Sequence, residues 1–150
     1  MEPSQLQLED DLSLKLLIVL SRANRAVADR LEEDIQHYGL NPTEFAVLEL
    51  LFHKGPQAIQ QIGKKILLSS GSITYVVDKL EQKELLKRQP CPKDRRVIYA
   101  VITSQGEELM QEIFPHHRKA IESIFSCLTM DEKQLLINHL KKLGLHAQNL

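Results

Sequence analysis

Apolar side chains at Leu12, Leu16, Val19, Ala23, Val27, Leu31 and Ile35 recur every three or four positions. That spacing lines one face of a long helix ending near Gly39. Asn41-Pro42-Thr43-Glu44 comes next. Asn is a preferred cap, Pro fits the first helical position, and Glu three residues after the cap can reach back to its N–H. A second helix is therefore predicted through Phe45, Val47, Leu48 and Leu51, stopped by Gly55-Pro56. Ala58, Ile59, Ile62 and Ile66 predict a short third helix, and Leu67-Leu68-Ser69-Ser70 a tight turn. A fourth helix is expected from Ser70 to Glu84, capped by Ser69 or Ser70, with Ile73, Val76, Val77 and Leu80 on its apolar face. Two short helices joined by a turn of about four residues match the helix-turn-helix pattern.

The periodicity then changes. Val97 to Thr103 alternates and is rich in β-branched residues, so it reads as a strand, with Leu85 to Gln89 as its antiparallel partner. Gln89 to Arg96, with two prolines and four charges, is the hairpin tip of a wing. Ser104 is expected to cap the next helix, with Glu107 in the capping-box position and a stripe of Leu109, Ile113, Ala120, Ile121, Ile124 and Leu128. Pro115 should kink that helix or split it. Thr129 with Glu132 opens a last helix through Leu135, Leu136, Leu140 and Leu143.

The expected class is mainly α with a small β-wing. One domain is expected over residues 1–150, with a winged helix-turn-helix lobe over about 42–103 and terminal helices over about 12–38 and 104–147. The first helix carries more apolar surface than one small lobe needs. Pairing the terminal helices of two chains would bury it and form the base of a homodimer.

Charge sharpens this picture. The net charge of −1 taken alone argues against a nucleic-acid partner. Its distribution does not. Lys54 to Arg96 holds ten Lys/Arg against four Asp/Glu, a balance of +6, while the remainder holds nine against sixteen, a balance of −7. A basic segment in an acidic frame is the electrostatic footprint of a DNA-binding module. No run of about 18 apolar residues predicts a membrane span, and MEPSQLQLEDD lacks the pattern of a signal peptide. A cytoplasmic protein is expected. Cys91 and Cys127 fit neither a metal spacing nor a disulfide framework. His116-His117 is a poor metal pair, because adjacent helical positions diverge by about 100°. No cofactor loop, metal cluster or nucleophile-base spacing points to an enzyme.

On the fourth helix, Ser69, Ser70, Ser72, Thr74, Tyr75, Lys79 and Lys83 are polar. All but Lys83 are candidate DNA contacts, small and hydroxylated where the helix would enter the major groove. Lys93, Arg95 and Arg96 at the wing tip are candidates for the narrow, strongly negative minor groove. Asp94 would hold a guanidinium, from a neighbour or from the recognition helix, in a fixed fork. A wing that binds protein instead of DNA is the alternative reading.

Asp94-Arg95-Arg96, the following strand, Ile102-Thr103 and Gly106 resemble the wing signature of the MarR family of transcriptional regulators. Asn41 to Leu48 and Gly71 to Leu80 are similar to that family's second and fourth helices. The resemblance spans about residues 12–145 and is strongest to the quinone-responsive, MhqR-type branch. It implies a homodimer on a two-fold symmetric double-stranded DNA operator, with repression relieved by a phenolic ligand or by thiol oxidation. No cysteine lies in the first helix, where some thiol-sensing members carry one. Cys91, with Lys87, Arg88, Lys93, Arg95 and Arg96 nearby in sequence, is the candidate thiol sensor. Cys127 lies on or near an apolar stripe and reads as a small packing residue. For a small aromatic effector, the resemblance points to a cleft between dimer base and DNA-binding lobe, where Phe45, Phe52, His53, Phe114, His116 and His117 are the candidate lining.

Overall fold

A computed structural model describes residues 4–66 and 70–150. The elements are α1 (Gln5–Gln36), α2 (Pro42–Lys54), β1 (Gln57–Ala58), α3 (Ile59–Lys65), α4 (Ser70–Gln82), β2 (Leu86–Pro90), β3 (Ile98–Ile102), α5 (Ser104–Ile124) and α6 (Met130–Gln148). No described helix is long and apolar enough to cross a membrane.

The core lies among α2, α3, α4, the sheet and the first half of α5. Phe45, Val47, Leu48 and Leu51 of α2 meet Ile62 of α3 and Ile73, Val76, Val77 and Leu80 of α4. Leu86, Ala100, Met110 and Ile113 complete the cluster. Each large side chain fully buried here contributes about 1.5–3 kcal/mol. The capping box predicted at Asn41 is formed: Asn41 Oδ1 accepts from the Glu44 N–H (2.8 Å), and Glu44 Oε1 accepts from the Asn41 N–H (3.2 Å). Gly55 ends α2 at φ 78°, a conformation that favours glycine.

Four local expectations need correction. The sheet has three strands, not two. β1 pairs antiparallel with β3 (Gln57 opposite Ala100), and β3 pairs with β2 (Arg88 opposite Ala100), giving the order β1-β3-β2. Second, α4 stops at Gln82 instead of Glu84. Glu84 adopts φ 63°, its N–H donates to Glu81 O, and the Leu85 N–H donates to Leu80 O. This is a helix stop of the Schellman type, built on glutamate where glycine is usual. Third, Thr103 caps α5, not Ser104. Its hydroxyl accepts from the Gly106 N–H (3.1 Å) and donates to Glu84 O (2.7 Å). Fourth, of the kink or split expected at Pro115, the split does not occur: α5 runs as one helix through it. The carbonyl left without its helical partner belongs to Gln111, an exposed position where solvent can satisfy it. The turn expected at 67–70 falls mainly on residues 67–69, outside the described residues.

Two compact units are distinguished, one up to His117 and one spanning Arg118–Leu150. In the first, α1 contributes Ile35 to the core, while Leu12, Leu14, Leu16, Leu17, Ile18 and Val19 are exposed. In the second, α6 starts at the capping box predicted for Thr129 and Glu132 and buries none of its residues.

Candidate nucleic-acid interface

The face of α4 that packs inward determines the face that is left. Ile73, Val76, Val77 and Leu80 are buried, so Ser72, Thr74, Tyr75, Asp78 and Lys79 are exposed. Tyr75 is 62% exposed, and Lys79 Nζ lies 5.4 Å from its ring centroid, a cation–π arrangement. That contact brings an aromatic plane and a positive charge together on the outer face. Ser70 is the first residue of α4, and Ser69 lies outside the described residues. Lys83 does not join this face. Its Nζ turns back to Glu44 Oε2 (2.7 Å) and Gly39 O (2.9 Å), tying the end of α4 to the start of α2.

The wing tip is closed by the Cys91 N–H donating to Val97 O (2.9 Å) and the Val97 N–H donating to Asp94 O (3.1 Å). Asp94 organises it. Its Oδ1 accepts from the Arg96 N–H (3.0 Å) and Nε (3.2 Å), and its Oδ2 from Nη2 (3.4 Å). Of the two partners expected for Asp94, the structure therefore selects the neighbouring guanidinium. Arg96's side chain first, and its backbone N–H second, hold the Asp94 carboxyl below the usual carboxylate range. The Arg96 side chain is 91% exposed even so, and Lys93 and Arg95 are exposed beside it.

Arg88 was not among the predicted site residues. It sits on β2 and reaches across to α4, where it meets Asp78 and Glu81. Only its place in a basic run was visible in the sequence. A cavity of about 290 Å³ opens beside it between the start of α3, α4 and the wing, lined among others by Ile59, Ile73, Thr74, Arg96 and Ile98. Cys91 is half-buried at the end of the wing. Two of the five cations near it in sequence, Arg88 and Arg96, are paired with carboxylates.

Five of the residues proposed to line an effector cleft fall into two groups of ring contacts on α2 and α5. Phe45 and His117 meet at 4.6 Å with their rings tilted by 54°, and His53 meets both Phe52 (5.2 Å) and Phe114 (4.8 Å). Phe45 and His117 are buried, and His117 Nδ1 has no hydrogen-bond partner among the described residues. His116 is exposed and outside both contacts. Among the described residues no group of three or more His, Cys, Asp or Glu has metal-site geometry.

Comparison with known proteins gives a consistent result. Residues 40–98 match the model of the MarR family. The chain is 58% identical over 136 residues to the HTH-type transcriptional regulator MhqR of Bacillus subtilis, covering 91% of this chain and 94% of that one. Its fold is similar to that of AbsC, a MarR family transcriptional regulator from Streptomyces coelicolor, with TM-score 0.83, 22% identity and 100% and 99% of the two chains covered. It is also similar to reduced AbfR bound to DNA, with TM-score 0.74, 26% identity and 95% and 99% covered.

Proposed function

The chain belongs to the MarR family, and from that premise we propose that it is a cytoplasmic DNA-binding regulator of transcription, a repressor acting as a homodimer on a two-fold symmetric operator. The α4 face carrying Ser70, Ser72, Thr74, Tyr75 and Lys79, with Ser69 before it, enters the major groove. Lys93, Arg95 and Arg96 reach the adjacent minor groove, with Asp94 fixing the fork of Arg96. The observation that carries this reading is the joint placement of a core-anchored helix with an exposed polar face and a wing tip whose cations are exposed. The relationship to MhqR and the likeness to a DNA-bound neighbour support it.

The dimer reading draws support from apolar surface. Leu12 to Val19 on α1 are exposed, as are Leu135, Leu136 and Leu140 on α6. The second unit has a cavity of about 330 Å³ lined by Ile121, Phe125, Leu128, Leu136, Ile137 and Leu140. Contiguous apolar faces of this kind mark association surfaces. Release of the operator is assigned to a small phenolic or quinone-type effector at the ring contacts of Phe45, His117, Phe52, His53 and Phe114, with His116 exposed outside them, or to modification of Cys91.

Selection from a randomised duplex library tests the proposal. The expected product is an inverted repeat with half-sites about one helical turn, roughly 34 Å, apart. Its affinity should fall with salt at a log-log slope of about −0.9 per phosphate contact. Arg95→Ala should weaken binding while the dimer stays folded. A library that yields no preferred sequence overturns the reading in favour of a protein-binding wing. Titrating the complex with a quinone, with and without reductant and with Cys91→Ser, separates ligand binding from thiol chemistry.

A further inference from the structure

Arg88 belongs to β2, yet its guanidinium and backbone N–H bond to α4. Its backbone N–H donates to Glu81 Oε2 (3.1 Å), Nη1 donates to Glu81 Oε1 (2.9 Å), and Nη2 donates to Asp78 Oδ1 (2.5 Å). Asp78 and Glu81 are three residues apart and so share a face of the helix. The Arg88 side chain is 26% exposed, against 91% for Arg96 at the wing tip. The Arg88 guanidinium is therefore the less screened of the two. Its pairs also carry an electrostatic cost for a DNA-binding surface, since two carboxylates and one guanidinium leave a net negative cluster on the recognition helix. A polyanion is repelled by it.

We infer that Arg88, Asp78 and Glu81 form a strut that fixes the angle between the wing and α4, and so sets the distance from the groove-reading face to the wing-tip cations. The inference rests on the DNA-binding reading above. Beyond buried Leu86, a cavity of about 290 Å³ lies between the start of α4 and the wing, so side-chain packing fills only the base of this junction. The ionic contacts brace it. A wing held at its working angle before binding pays less ordering entropy on the duplex. Arg88 is thus a positioning residue and not a phosphate contact. A planar guanidinium is needed to meet two carboxylates at once, which an ammonium cannot do in the same geometry.

The test measures affinity for the selected operator duplex across a salt series, using the full chain and the variants Asp78→Asn, Glu81→Gln, Arg88→Met and Arg88→Lys. By charge alone, removing a carboxylate from a DNA-facing helix tightens binding. The strut predicts the reverse: each acid variant binds severalfold more weakly, and Arg88→Met roughly tenfold more weakly with an unchanged salt slope. Combining Arg88→Met with both acid variants should add little further loss, because the three act as one unit. Arg88→Lys should not restore parental affinity. Acid variants that bind as well as the parent or tighter overturn the inference, as does an Arg88→Met slope reduced by the roughly 0.9 of a lost phosphate contact. Should Arg88→Met fail to fold in a thermal melt, the two acid variants decide. A parent protein that selects no duplex overturns this inference together with the DNA reading. A parent that binds, with acid variants unimpaired, overturns the strut alone.

Discussion

Helices α2 and α6 begin with the same device and end up in different surroundings. Each has a capping box, Asn41 with Glu44 in one and Thr129 with Glu132 in the other, with both reciprocal hydrogen bonds made. At α2 the box is sealed. Glu44 is 5% exposed, its second oxygen accepts from Lys83 (2.7 Å), and the helix behind it buries Phe45, Val47, Leu48 and Leu51. At α6 the box is open, and Leu135, Leu136, Leu140 and Leu143 remain exposed. The Glu132 carboxyl is held below its usual range first by the Thr129 backbone N–H and then by its hydroxyl. Local chemistry started both helices alike. What separates them is the surface each is offered: α2 finds its partner inside the lobe, whereas the α6 face awaits the second copy proposed above.

The sharpest break of this contrast comes from removing one leucine on each side. Leu48→Ala should lower the unfolding free energy by about 2–5 kcal/mol in a urea melt, since its side chain is fully enclosed. An exposed leucine would change stability by no more than about 0.5 kcal/mol. Leu136→Ala is expected to exceed that, and its melting temperature should fall more steeply on dilution, as for a side chain covered by association. A small effect independent of concentration would show α6 to be free surface, and the contrast would fail as drawn.

The junction at Gly106 should give the next largest effect. A Cβ there would meet Leu85 O at an impossible distance and Ile102 Cγ1 at 2.7 Å. Gly106→Ala should therefore cost about 1–3 kcal/mol as the start of α5 is pushed from the strands. The capping boxes come third. Asn41→Ala should cost about 1–2 kcal/mol, because it also unseats a buried glutamate, and Thr129→Ala should cost less. Equal losses would mean that the sealed and open boxes are energetically the same.

The smallest effect belongs to Asp94. Its folded pKa lies below the unfolded one, so the stabilisation is present above the ordinary carboxylate range and is lost as pH falls through the lowered value. An NMR titration of the Asp94 carboxyl should move upward in Arg96→Gln. An unmoved titration would remove Arg96 as its cause.

Legibility followed the range of the interaction. The boxes at Asn41 and Thr129, the stripe of Ile73, Val76, Val77 and Leu80, and the β-branched run into β3 depend on residues a few positions apart, and all were readable. β1 is two residues long and exists only because β3 supplies partners some forty positions later, so no alternation could announce it. Thr103 reads as the last strand residue, which conceals its second role as the cap of α5. Lys83 and Arg88 look like further positive charges in a basic run. Only the fold reveals that one is paired with Glu44 and the other with Asp78 and Glu81. The exposed candidates Tyr75, Lys79 and Arg96 were legible because a helix or hairpin with one face committed leaves little choice for the other.

The strand order β1-β3-β2 leaves two borders, and neither invites a stranger. One is only two residues long. The other carries Lys87 and ends in Pro90, which has no N–H to offer, and its Arg88 is already engaged. Short, charged or proline-bearing borders resist edge-to-edge pairing and the aggregation that follows from it. In the homodimer proposed above, such borders would confine sticking to the apolar helix faces, where symmetry can close the assembly. The small sheet would then act as insulation, keeping self-association away from the wing.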